Sequence, residues 1–325
     1  MSKVIPEWNF KEKLISKIKE KGGWVNAHAH IDRAFTVDDH LYSLANKMRH
    51  EKWKLNKDLR VNSTVDDIYN RMAQATELMI EQGTSVIGTF IDVDPDVKDK
   101  AIKASQKLRE KYKDTTFVFI NQASYGIMTS ETREWFDVGA DYVDIIGGMV
   151  KADSEHAEKY LDIILSTAKE KGKMVHEHVD ELNLPSEKET ELLAKKTIEH
   201  GMQGKVVGIH GISINAHPKD YREEVYKLMK EAELMMVACP MAWLNARRSE
   251  EMAPIHNPST PVDELVERGI QVAMGVDNIA DIFMPYNDGI LWNDLRALME
   301  MNRLYDIETL SDIATVNGRR VLGLK

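Results

Sequence analysis

Cysteine is almost absent: the 325 residues contain one, Cys239. That excludes an internal disulfide and any metal cage built from thiolates. Set in Val237-Ala238-Cys239-Pro240, it reads as a small core residue rather than a nucleophile. No run of 18 apolar residues occurs, so no membrane-spanning helix is expected. The charged, helical-looking opening from Met1 to Glu20 is unlike a signal peptide, and a cytoplasmic location follows as the expectation. Basic residues are outnumbered, 43 Lys and Arg against 53 Asp and Glu, for a formal charge of −10. With no basic stripe interleaved with aromatics, this argues against a nucleic-acid surface and leaves small molecules as the expected partners. Ser/Gly-rich, Pro-rich and low-complexity tracts are missing too, so residues 1–325 read as one domain.

What the chain does have is a rhythm. Short apolar runs at Trp24–Ala27, Ser85–Ile91, Thr116–Ile120, Tyr142–Ile146, Lys173–His176, Val206–Ile209, Leu234–Ala238 and Gln271–Val276 alternate with longer amphipathic segments. Val65–Gln82, for example, places Val65, Ile68, Met72, Leu78 and Met79 at helical spacings. Strands alternating with helices of this length predict a parallel sheet. Eight such units predict an α/β fold closed into a TIM-like (β/α)8 barrel, which needs about 250 residues plus insertions. Gly83, Gly172, Gly201 and Gly269 each follow a charged last turn, as helix C-termini require. The longest departure, Asp32 to Asn62, reads equally as a lid over the active face or as a surface helix with its connector.

Polar residues with metal-binding chemistry stand where the apolar runs end. His28 and His30 form a His-x-His pair whose side chains share one face of an extended strand. His178, His210 and Asp277 each follow a later apolar run. In such barrels the chemistry sits at the C-terminal ends of the strands, so these positions converge. His176 shares His178's side one layer deeper and reads as a core or supporting histidine. His200, His217 and His256 read as solvated, and Lys151, after the fourth run, as a surface or substrate-facing lysine.

The segments Asn26-Ala27-His28-Ala29-His30-Ile31-Asp32, Val175-His176-Glu177-His178-Val179-Asp180-Glu181, Gly208-Ile209-His210-Gly211, Met274-Gly275-Val276-Asp277-Asn278 and Ala314 to Leu324 resemble, in order, the amidohydrolase superfamily in its cytosine deaminase-like branch. The resemblance runs from Trp24 to the C-terminus. It implies one divalent ion, Zn or Fe, on His28, His30, His178 and Asp277, with an open position for water. It also implies Asp277 as acceptor of the water's proton, Glu181 as the acid that protonates a ring nitrogen, and His210 as the group that orients hydroxide or polarises the carbon under attack. Gln122 matches a glutamine that reads the base, and Asn278 takes the adjoining substrate-binding place.

The departures from the branch are specific. Thr89-Phe90-Ile91-Asp92 replaces a Thr-His-Val-Asp run, and Asp277-Asn278 replaces an Asp-Asp pair, so an acceptor-only carboxylate becomes an amide that donates and accepts. The segment after Gln122 is longer than the pattern. Cytosine itself is therefore expected to be a poor substrate. The small accessory β-sandwich of most members is expected to be missing, which leaves barrel ends free for homo-oligomer contacts. The reading is metal-dependent hydrolytic deamination of a cytosine-like or related cyclic amidine. Release of an amine or acid from an amide or N-alkylated triazine-like ring is the alternative, and a non-catalytic metal-binding barrel is a third.

Overall fold

The structure is a computed structural model that describes residues 8–47, 49–242, 244, 249–254 and 259–325. Eight strands appear in chain order: β1 Trp24–Asn26, β2 Thr84–Asp92, β3 Thr116–Gln122, β4 Ile146–Met149, β5 Val175–Val179, β6 Val206–His210, β7 Met235–Ala238 and β8 Val272–Met274. Neighbours pair in parallel within two runs, β1-β2-β3 and β4-β5-β6-β7-β8. Single parallel bridges, Ile120 to Ile145 and Ala29 to Asp277, join the runs at both seams, so the strands form a ring in sequence order. No strand among the described residues lies outside this ring, and no described helix is long and apolar enough to cross a membrane.

Two apolar layers hold the ring. Val25, Val86, Phe90, Ile120, Val207, Ile209, Val237 and Ala273 pack together inside it. Trp24, Ile87, Phe119, Val175, Val206, Met236 and Met274 pack outward against the helices. The helix Val65–Glu81 shows how sequence sets one of these partners: Thr64 and Asp67 form a capping box at its start, and Ile68, Met72, Ala75, Thr76 and Met79 form its buried stripe. Gly83, Gly172, Gly201 and Gly269 all take positive φ at helix ends, as expected.

The fourth strand departs from expectation. The apolar run at Tyr142–Ile146 is the end of the helix Ser130–Tyr142 and its connector, and β4 starts only at Ile146. Gly147 and Gly148 disguise the strand, because glycine carries no strand propensity. They are there for space: a Cβ on Gly147 would come within 2.4 Å of Ile120 Cγ2, and one on Gly148 within 2.0 Å of the Tyr160 hydroxyl.

The bottom of the ring is closed by the C-terminal helix Val316–Val321. Leu322 approaches Gly88, and a Cβ on Gly318 would lie 2.6 Å from Val25 Cγ1. Gly318→Ala is expected to lower unfolding free energy by about 1–3 kcal/mol through overpacking. Paired with Val25→Ala, it should cost less than the sum of the two single changes, as read from urea midpoints.

Candidate metal centre and active-site cavity

The top of the ring is built around backbone that only this closure can hold. Asp277 N–H donates to His28 O at 3.0 Å, and His30 N–H to Asp277 O at 3.3 Å, so the His-x-His segment and the residue after β8 are laced together. Gly275 permits the approach, since a Cβ there would meet His28 O at 2.5 Å. Thr89 Oγ1 accepts from Ile31 N–H at 3.2 Å and donates to Ala29 O at 3.1 Å, tying the same segment to β2. His210 and Asp277 both have left-handed backbone, φ 76° and 60°, which is rare for residues other than glycine and clusters at functional sites.

The side chains that result form a tight set. His28 Nε2 lies 3.3 Å and His30 Nε2 3.4 Å from Asp277 Oδ1. His210 Nε2 lies 3.9 Å from Asp277 Oδ2 and 3.7 Å from Glu181 Oε1. Ligand atoms of His28, His178 and His210, and likewise of His28, His30 and Asp277, all lie within 4.8 Å of one another. His178 Nδ1 is 2.8 Å from Gly148 O, the contact that commonly fixes a ligating imidazole's tautomer and frees Nε2.

The chemistry of this set fits a divalent ion. Neither nitrogen of His28 makes a hydrogen bond, nor does His30 Nδ1, although all are buried. Buried donors and acceptors are ordinarily satisfied, so orphaned imidazoles around a carboxylate suit an electrophile such as a metal ion. Burial and the facing His28 push the His178 imidazole down to about 3. Burial, Arg33 and His28 hold His30 well below its usual value. Burial alone would raise the Asp277 carboxyl, but the contact with His28 and the favourable electrostatics of the facing His28, His210 and His30 hold it well below the usual carboxylate range. Neutral imidazoles and an ionised carboxylate are the protonation states a borderline metal takes.

A cavity of about 560 Å³ opens above this set, lined among others by His30, His178, Glu181, His210, Asp277, Gln122 and Asn278. Every residue expected in the site therefore reaches it or its floor. Gln122 ends β3, buried, with Oε1 unpartnered. Asn278 is already engaged, its amide donating to Asp281, whose other oxygen takes Phe283 N–H and Met284 N–H at 2.9 Å.

Other expectations are corrected. Phe90, which departs from the branch's histidine, is not among the cavity-lining residues: it is fully buried, its ring centroid 4.6 Å from that of His178 and 5.0 Å from that of His28, so it props the imidazoles from below. His217 is buried rather than solvated, with Nε2 2.8 Å from Glu187 O, and His200 pairs with Asp162 at 2.9 Å. His256 lies outside the described residues. Lys151 needs no correction: it is half-exposed, in keeping with the surface alternative, and turns to Glu187 at 2.8 Å, away from the cavity. The Asp32 to Asn62 excursion supplies a wall of the cavity through Arg33, Lys52 and Trp53. Sequence reasoning missed these three. Trp53, a large aromatic in a polar insertion, was the available signal.

A ring of parallel strands with a His and Asp cluster able to hold a divalent ion at its C-terminal mouth places the candidate site where barrel enzymes of this architecture carry their chemistry. The amidohydrolase family profile matches residues 22–325, and the chain belongs to that family, hydrolases of carbon–nitrogen bonds. An uncharacterized protein of Haemophilus influenzae is 49% identical over 265 residues, 79% of this chain and 95% of that protein. The N-isopropylammelide isopropyl amidohydrolase of Pseudomonas sp. strain ADP is 27% identical over 93% of this chain and 74% of its own. Among solved structures, 5-methylcytosine deaminase from Klebsiella pneumoniae superposes with a TM-score of 0.84 over 92% of this chain and 74% of its own, at 20% identity, a likeness of fold.

His176 is the core histidine expected. Its Nε2 lies 2.7 Å from Val321 O, and burial pushes its imidazole down to about 4 from 6.5. An unfolded chain therefore protonates this residue first, and the stability is full above pH 6.5 and lost as pH falls toward 4. His176→Gln is expected to flatten the pH dependence of unfolding free energy by up to about 1.4 kcal/mol per pH unit in that window, measured by urea titration at several pH values.

Proposed function

We propose that this protein is a metal-dependent hydrolytic deaminase acting on a cytosine-like or related cyclic amidine ring. The observation that carries the reading is the placement of two buried carboxylates on one histidine: Glu181 and Asp277 both lie within 3.9 Å of His210 Nε2 at the cavity floor. Amide or amidine hydrolysis needs one group to take a proton from water and another to return it to the leaving side. A divalent ion, zinc or iron, held by His28, His30, His178 and Asp277 would supply an activated water at neutral pH. Asp277, ionised and in contact with the imidazoles, takes the water's proton. Glu181, 4% exposed, carries a proton to the ring nitrogen, and His210 between them orients the attack on the ring carbon. Gln122 Oε1, buried and unpartnered, accepts from a ring N–H.

A second reading, release of an alkylamine from a triazine-like ring, is supported by the 27% identity to the isopropylammelide enzyme along 93% of this chain. The same residues serve it. Ammonia release against alkylamine release, over a panel of cytosine, isocytosine, guanine-like, triazine and cyclic-urea compounds, separates the two.

Purified protein is expected to hold one ion per chain, and His28→Ala or Asp277→Ala to abolish turnover with the fold retained by circular dichroism. Two equally filled metal positions bridged by Lys151 would overturn the mononuclear site. Glu181→Gln is expected to cost at least about a hundredfold in turnover while metal content stays near one, the signature of a lost general acid. Near-normal turnover in that variant would sink the deaminase reading.

A further inference from the structure

Above the metal centre, the cavity wall comes from the helix Arg49–Asn62 and the segment after β8. Trp53 and Phe283 meet there with ring centroids 5.1 Å apart, an apolar corner suited to a flat ring. Among the described residues, the cations Arg33, Lys47 and Lys52 line the same space. Arg33 lies between Asp92 at 3.6 Å and Asp281 at 3.9 Å, so its charge is answered by the protein. Lys47 pairs with Glu51 at 3.2 Å. Lys52 differs from both. It is 9% exposed and has no hydrogen bond or ion pair among the described residues. Its stem is buried while its ammonium faces the cavity, and partial burial pushes its pKa down, with Asp281 only partly opposing. The proposed proton transfers make no use of it.

We propose that Lys52 is the anion-binding group of the substrate site, and that the ring bound over the metal centre carries a negative charge, a carboxylate substituent or an ionised ring oxygen, seated against the Trp53–Phe283 corner. An anion there would pair a cavity-wall cation that has no ion pair among the described residues, and the charge-assisted contact would fix the ring's orientation over Asp277 and Glu181. The proposal names the substrate class for the deaminase reading and rests on the same cavity, but not on turnover.

The test is isothermal titration of the full-length, metal-loaded protein at pH 7.5 and low salt with three pyrimidines that have no amine to lose: uracil, orotate and barbiturate. At least one anion is expected to bind at least about tenfold tighter than uracil. The preference should fall below about threefold in Lys52→Met and be kept in Lys52→Arg, with metal content equal in all. Lys52→Gln replaces Lys52→Met should the latter fail to fold. Equal binding of all three, no binding of any, or an anion preference that survives loss of Lys52 overturns the proposal, the last by assigning the anion to the metal. The carboxylate and ring-oxygen sources are separated by which anion gains. Ammonia release from neutral rings without anion preference overturns this inference alone. A Lys52-dependent preference without any ammonia release overturns the deaminase reading alone.

Discussion

The seam between β1 and β8 is the constraint on which the site depends. Ala27 N–H to Met274 O and Asp277 N–H to His28 O, both at 3.0 Å, close the ring and in the same stroke bring Asp277 against the His-x-His pair. These contacts join residues some 250 positions apart, so the ordering entropy of nearly the whole chain is spent before the carboxylate meets its imidazoles. Gly275 and the buried amide of Asn26, whose Oδ1 accepts from Val276 N–H at 3.1 Å, exist to let that approach happen.

Around the seam the protein separates support from chemistry. Phe90 and Thr89 hold the imidazoles from β2, and Gly148 O holds His178 from β4. The C-terminal helix closes the opposite end, where His176 reaches Val321 O. The imidazole positions are thus over-determined from below, while the cavity above is walled by longer excursions that lie outside the ring. Left-handed backbone at His210 and Asp277 is tolerated for the same reason, since the surrounding hydrogen bonds fix those residues.

Charge is distributed by the same logic. Asp281 anchors Asn278 and faces Arg33, so the amide that replaces the branch's second aspartate belongs to a network behind the wall as well as to the cavity. Burial raises the Asp281 carboxyl to about 6 despite Arg33, which marks how far this network is removed from water. A carboxylate at position 278 would face another, and the amide relieves that repulsion. One of the amide's two N–H donors is consequently spent on Asp281, leaving the second N–H and the oxygen for a ligand.

Local pattern was sufficient for much of this. The helix Val65–Glu81, the glycine-ended helices and seven of the eight strands follow from periods of 3.6 and 2 and from capping chemistry, which act within a few residues. The His-x-His pair and the polar residues at strand ends were legible because alternation assigns them a side and strand direction assigns them an end. Strand β4 was not, because its glycines answer to Tyr160 and Ile120 across the layers, not to their own neighbours. The burial of Phe90 beneath the imidazoles, the capture of Asn278 by Asp281, the turn of Lys151 toward Glu187 and the arrival of Lys52 at the cavity all depend on which distant segments closure sets side by side. Sequence periodicity specifies a residue's face and its end of a strand, whereas its neighbours across the ring are decided only when the eight strands close.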